Sequence, residues 1–271
     1  MALPGNVRSV ASCAAEERPN RLFLGVSLKM YFDHEATLAW TRLIAKAIRR
    51  AGQSPAEVVV MPSFPSLTAV ADALAGTGAR LGAQDLSEHD SGPYTGEVGG
   101  ASLRQVGCRY VEIGHAERRR LHGETNAVIG LKATAAWRAG LTPLLCLGET
   151  QREEPAGERC LQQLDESLTQ VPATYDRGPM VIAYEPVWAI GSRDPAPAER
   201  VRSVCLELRE HTATRYPHRS VRLVYGGAAG PGTLTRLGSA VDGLFLGRFA
   251  HQPESFTAIM REAWALAGRH T

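Results

Sequence analysis

Two textures alternate along the chain. Short apolar runs, rich in Val, Ile and Leu, occur at 22–28, 57–62, 80–84, 109–114, 142–148, 179–185, 221–226 and 242–247. Between them lie stretches with helical spacing of apolar positions, the clearest at 34–51, 125–139, 156–168, 198–211 and 253–267. Helix starts are marked by Thr125 after Glu124, and by Pro197 and Pro253 as first-turn residues. Helix ends are marked by Ala51-Gly52 and Ala139-Gly140. Unbroken apolar runs predict strands buried on both faces, and strand–helix alternation predicts right-handed crossovers and a parallel sheet. Eight such units in about 250 residues is the size of a closed (β/α)8 barrel. A doubly wound open sheet is the alternative, but no G-x-G-x-x-G follows the first run. No linker or composition shift divides the chain, so residues 21–271 are expected to form one domain. Residues 1–20 lack the long apolar segment of a secretory signal and are expected to be a disordered extension.

Composition narrows the function. With 44% hydrophobic residues the 271-residue chain can bury one large core, and no run of about 18 apolar residues is present to span a membrane. A net charge of +2, with basic residues dispersed, gives no case for nucleic acid; Arg118-Arg119-Arg120 is too short a cluster to carry one. Five scattered cysteines (Cys13, Cys108, Cys146, Cys160, Cys205) point to a reducing cytoplasm and to neither a disulfide framework nor a zinc site. Of 30 basic residues only Lys29, Lys46 and Lys132 are lysine, so each lysine invites a reason.

In a barrel, chemistry collects where strands end. The ends of the runs supply Ser27-Leu-Lys29, His115-Ala-Glu117, Cys146-Leu-Gly-Glu149, Glu185, Tyr225-Gly-Gly-Ala228 and Gly247-Arg248. A Lys, a His and a Glu thus arrive from three different strands, and glycine-rich turns suited to phosphate follow the last two. The stretch from Val181 to Gly191 is distinctive: a buried run ends in Glu185, Pro186 breaks the ladder, and an uncharged segment carries Trp188 to Gly191. It reads either as a base beneath a lid or as a strand end with a satellite apolar cluster.

The motifs GHAERR at 114–119, AYEPVWAIG at 183–191, TGE at 95–97, CLGE at 146–149 and YGG at 225–227 closely resemble the triosephosphate isomerase family, in order and with family spacing from about Leu22 to Ala265. The resemblance implies a TIM barrel and a cofactor-independent, metal-free isomerase of a small phosphosugar, a soluble cytoplasmic enzyme of glycolysis and gluconeogenesis. It implies that Glu185 is the general base, that His115 polarises the carbonyl as a neutral imidazole, and that Lys29 holds a positive charge near the enediolate and phosphate. Glu117 would position Lys29 or His115, or form a plain ion pair. Pro186, Val187, Trp188, Ala189, Ile190 and Gly191 would form the lid. Thr95 and Glu97 would lie in a loop that reaches a partner subunit, which implies a homodimer.

The departures from the family lie around one pocket. Ser27 stands where the family has Asn, and Leu28 where Trp is usual. Ala228 replaces a serine of the phosphate turn, Arg248 the second of two glycines, and Ser192-Arg193-Asp194-Pro195 the usual polar half of the lid. Ser27, Lys29, Gly191, Ala228, Gly247 and Arg248 would bind substrate. If Arg248 has positive φ, it carries strain. The set implies a related substrate, such as a four-carbon tetrulose phosphate (erythrulose phosphate), as the alternative to dihydroxyacetone phosphate and glyceraldehyde 3-phosphate. A phosphosugar binder without turnover is a further alternative.

Overall fold

The computed structural model describes residues 21–52, 56–192 and 195–267; the extension expected at 1–20, together with Arg193 and Asp194, lies outside them. Eight parallel strands run β1 (Leu22–Ser27), β2 (Ala56–Met61), β3 (Arg80–Ala83), β4 (Cys108–Ile113), β5 (Thr142–Leu147), β6 (Met180–Tyr184), β7 (Val221–Tyr225) and β8 (Gly243–Leu246). Each pairs with the next, and β8 returns to β1 with Phe23 opposite Gly243 and Val26 opposite Leu246. The sheet is therefore a closed barrel, and the open doubly wound alternative falls away. Closure leaves no sheet edge unpaired.

The helices between the strands are α1 (His34–Ala51), α2 (Leu67–Leu74), α3 (Gly100–Gln105), α4 (Ala116–His122), α5 (Asn126–Arg138), α6 (Ala156–Leu168), α7 (Ala198–Arg215), α8 (Thr233–Leu237) and α9 (Pro253–Ala267). Helices α1, α6 and α9 match the sequence expectation at both ends. Gly52 and Gly140 follow their helices at φ of 76° and 72°, a region open to glycine. Thr125 caps α5 by accepting from the Val128 amide, whereas Pro197 precedes α7 as its cap and is not part of its first turn. Helices α2, α3, α4 and α8 span too few residues to show a helical period in sequence.

Alternation within the strands divides the core in two. Phe23, Val59, Met61, Tyr110, Leu144, Cys146, Val181, Ala183, Val224 and Phe245 fill the barrel interior, while intervening residues such as Leu24, Val60 and Ile182 pack outward against the helices. Both faces being buried explains why the runs are apolar throughout. At the amino-terminal mouth Arg222 donates to Glu57 at 2.6 Å and Tyr110 at 2.5 Å, and its guanidinium lies 5.1 Å from the Phe23 ring centre. At the carboxyl mouth a cavity opens, lined by polar residues from several strand ends.

Candidate active site

Ser27 ends β1, and Lys29 follows in a left-handed conformation, φ 50°, the one positive φ among described non-glycine residues. Such a backbone is unfavourable for a side chain with a Cβ, and marks a position held by its surroundings. Gln84, just after β3, holds it: its amide donates to the carbonyls of Lys29 at 3.2 Å and Met61 at 2.9 Å. The Lys29 ammonium is thereby set 2.7 Å from Glu117 Oε1. Burial works against its charge, but the bond to Glu117 and the nearby Glu185 and Glu112 carboxyls raise its pKa above the ordinary lysine value. Glu117 therefore pairs with Lys29.

His115 caps α4 with its ring: Nδ1 accepts from the Glu117 amide at 3.1 Å. An accepting Nδ1 leaves the proton of the neutral ring on Nε2, which points toward Glu185. Burial, followed by the Lys29 charge, pushes the His115 pKa down to about 4. A pKa lowered this far favours the neutral imidazole near pH 7. Arg119 braces the same turn through bonds to the Gly114 carbonyl and Asn126.

Glu185 follows β6 and is 4% exposed. Its Oε2 has no hydrogen-bond partner and lies 3.6 Å from His115 Nε2, too far for a bond. Burial first, and then the Glu112 charge, raise its pKa to about 8; Lys29 and a bond from the Cys146 thiol work the other way. A Cβ on Gly226 would stand 2.5 Å from the Glu185 side chain, so only glycine there leaves the carboxylate its place. A buried carboxylate with an idle oxygen is costly for stability and is characteristic of a site that does chemistry.

The lid follows. Val187 to Ala189 make one 3-10 turn, and Trp188 Nε1 donates to Glu149 Oε1 at 2.8 Å. Glu149 is wholly buried, and also receives Tyr184 Oη at 3.2 Å and Arg200 Nη2 at 3.1 Å. The CLGE motif thus anchors the Trp188 segment, a contact its spacing alone does not reveal.

These elements enclose a cavity of ≈ 520 Å³. Ser27, Lys29, His115, Glu117, Glu185, Ile190, Gly191, Ala228, Gly247 and Arg248 all line it, so the catalytic and substrate-binding candidates come together in one place. Thr95 and Glu97 do not belong to it; they sit exposed on the loop between β3 and α3. Arg248 lacks the positive φ that would have strained it; its guanidinium donates to the Gly191 carbonyl at 2.6 Å, linking the β8 turn to the end of the lid. A residue to which the sequence gives no role, although it opens the strand-end segment 112–119, is Glu112, on the interior face of β4 two residues beyond Tyr110. It is 3% exposed and accepts from Ser27 Oγ at 2.8 Å. Among the described residues no three His, Cys, Asp or Glu side chains converge to hold a metal ion, and no helix is long and apolar enough to cross a membrane.

Comparison with known proteins follows the same lines. A family profile described as triosephosphate isomerase matches residues 22–263. L-erythrulose-1-phosphate isomerase from Pectobacterium atrosepticum is 49% identical over 254 residues, covering 92% of this chain and 98% of that protein. Triosephosphate isomerase from Symbiobacterium thermophilum is 43% identical over 227 residues, 79% of this chain and 87% of that protein. The crystal structure of triosephosphate isomerase from Bartonella henselae superposes with a TM-score of 0.77 at 30% identity, covering 90% of this chain and 99% of that one.

Proposed function

The chain belongs to the triosephosphate isomerase family, and from that premise we propose that it isomerises a four-carbon ketose phosphate through an enediolate. The observation that carries the chemistry is the idle Glu185 Oε2 facing the neutral His115 Nε2 at 3.6 Å across the cavity. Glu185 in its carboxylate form takes the proton from the carbon beside the substrate carbonyl. The electron pair of that C–H bond becomes the enediolate, and negative charge develops on the former carbonyl oxygen. His115 Nε2–H donates to that oxygen and the Lys29 ammonium stands beside it, so charge is met by groups already in place. Glu185 then returns the proton to the former carbonyl carbon, while the hydroxyl proton passes to the former carbonyl oxygen by way of His115 Nε2, leaving the new carbonyl where the hydroxyl stood. In a triose this converts ketose to aldose. In a tetrulose 1-phosphate the carbonyl moves from C2 to C3 and the product is another ketose, phosphorylated at C4.

The four-carbon substrate is supported by Ser27, a short side chain on the cavity wall, and by the 49% identity to an enzyme named for L-erythrulose 1-phosphate. Such a substrate takes the enzyme out of the glycolytic triose step. Phosphate binding falls to backbone amides of Gly191, Ala228 and Gly247, with the Arg248 guanidinium beside them. Glu117 positions Lys29, and Pro186 to Gly191 close over the intermediate and exclude water. Thr95 and Glu97, exposed beyond the barrel rim, are the contacts of a homodimer, and the enzyme works in the cytoplasm.

The purified protein, assayed on L-erythrulose 1-phosphate and dihydroxyacetone phosphate, should show kcat/KM about tenfold or more in favour of the four-carbon substrate, the discrimination one added polar contact affords. Triose turnover near the diffusional ceiling of about 10⁸ M⁻¹s⁻¹, without four-carbon turnover, would overturn the substrate assignment and leave the isomerase intact.

A further inference from the structure

One buried titratable group at the site has no part in the proton transfer just described. Glu112 projects into the barrel interior from β4, in the layer above Tyr110, with Ser27 Oγ donating to its Oε2 at 2.8 Å. Apolar side chains fill the barrel interior on its inner side, so an acid here is costly unless it has a use. The Ser27 carbonyl in turn receives His251 Nε2 at 3.2 Å, so the residue is held from both ends.

A serine hydroxyl has one proton and two lone pairs. With that proton given to Glu112, Ser27 offers the cavity only an acceptor. An acceptor repels a carbonyl or enediolate oxygen and attracts a substrate O–H. We propose that the Ser27–Glu112 pair is the specificity element of this site, selecting ketose phosphates that carry an additional hydroxyl group over the triose phosphate. This rests on the isomerase reading above and names the side chains that set its substrate preference.

The protonation of Glu112 then sets the polarity of the contact. Burial raises its pKa to about 7, partly offset by the Ser27 bond and the Lys29 charge, while Glu117 and Asp85 add to the rise. Glu185 is the other carboxyl it faces. Above about pH 7 the carboxylate keeps Ser27 an acceptor; below it, the protonated acid donates to Ser27 and frees the hydroxyl to donate into the cavity.

The test is the ratio of kcat/KM for L-erythrulose 1-phosphate to that for dihydroxyacetone phosphate. Taking a ratio cancels the titration of Glu185, which both substrates require. In the wild type the ratio should rise through about pH 7. Ser27→Ala should lower it roughly tenfold at pH 8, the value of one hydrogen bond to a polarised acceptor. Glu112→Gln should make it independent of pH. A wild-type ratio flat from pH 6 to 8, or a Ser27→Ala ratio within about twofold of wild type, overturns the proposal. If Glu112→Gln does not fold by thermal melting, the wild-type series and Ser27→Ala decide. Failure of the substrate assignment appears separately, as absence of four-carbon turnover in the wild type, and that result overturns this proposal as well.

Discussion

Lys29 and Lys132 are two of three lysines in a chain that otherwise uses arginine, and they sit in opposite kinds of charge cluster. Lys132, on α5, is 3% exposed and donates to Asp85 at 2.7 and 2.9 Å and to Glu124 at 2.6 Å; Arg118 binds the same two acids at 2.8 and 2.7 Å. Two cations meet two anions at contact distance. Around Lys29 the balance is uneven: Glu117 takes its bond, and Glu112 and Glu185 are left without a cation of their own. A balanced buried cluster ties loops together. An unbalanced one stores basicity, because each buried carboxyl raises the pKa of the other. The third lysine, Lys46, is exposed on α1, and nothing in the structure explains its identity.

Four changes would break or sharpen this contrast. Glu185→Gln removes the proposed base, and should lower kcat/KM by roughly 10³- to 10⁴-fold without lowering the unfolding midpoint; steady-state assay and a denaturant titration report both. Lys132→Ala should do the reverse. It leaves two buried acids short of a cation and should cost about 3–5 kcal/mol of stability in urea unfolding, while the folded enzyme keeps its kcat.

The third change concerns pH. The proposed base must be a carboxylate to take a proton, and the Glu185 pKa is raised to about 8, so kcat/KM of the free enzyme should fall as pH drops through that value. His115, pushed down to about 4, stays neutral over this range and adds no limb. Because the Glu112 charge holds Glu185 up, Glu112→Gln should move the acid limb to lower pH; a limb that stays in place would mean the two carboxyls are not coupled. The smallest effect is expected from Arg248→Ala, which removes one exposed guanidinium and its bond to Gly191. KM for the phosphorylated substrate should rise about threefold to tenfold with kcat little changed, in keeping with one partly screened charge contact.

The sequence by itself determined the barrel. Runs buried on both faces, alternating with amphipathic helices, call for a parallel sheet, their number has the size of a barrel, and helices α1, α6 and α9 fall where the apolar period places them. It also named the candidate reacting set, since Lys29, His115 and Glu185 follow strand ends within motifs, and the structure brings the three to one cavity. Only the tertiary structure decided what each buried carboxyl meets. Glu112 looks in sequence like a polar interruption of β4, and Glu149 like a loop acid; pairing across 85 residues makes one the partner of Ser27, and pairing across 39 makes the other the anchor of Trp188. Such pairings depend on register around a closed sheet, which local pattern does not encode. For the same reason the opposed roles of Lys29 and Lys132 become visible only when the acids around each are brought together in space.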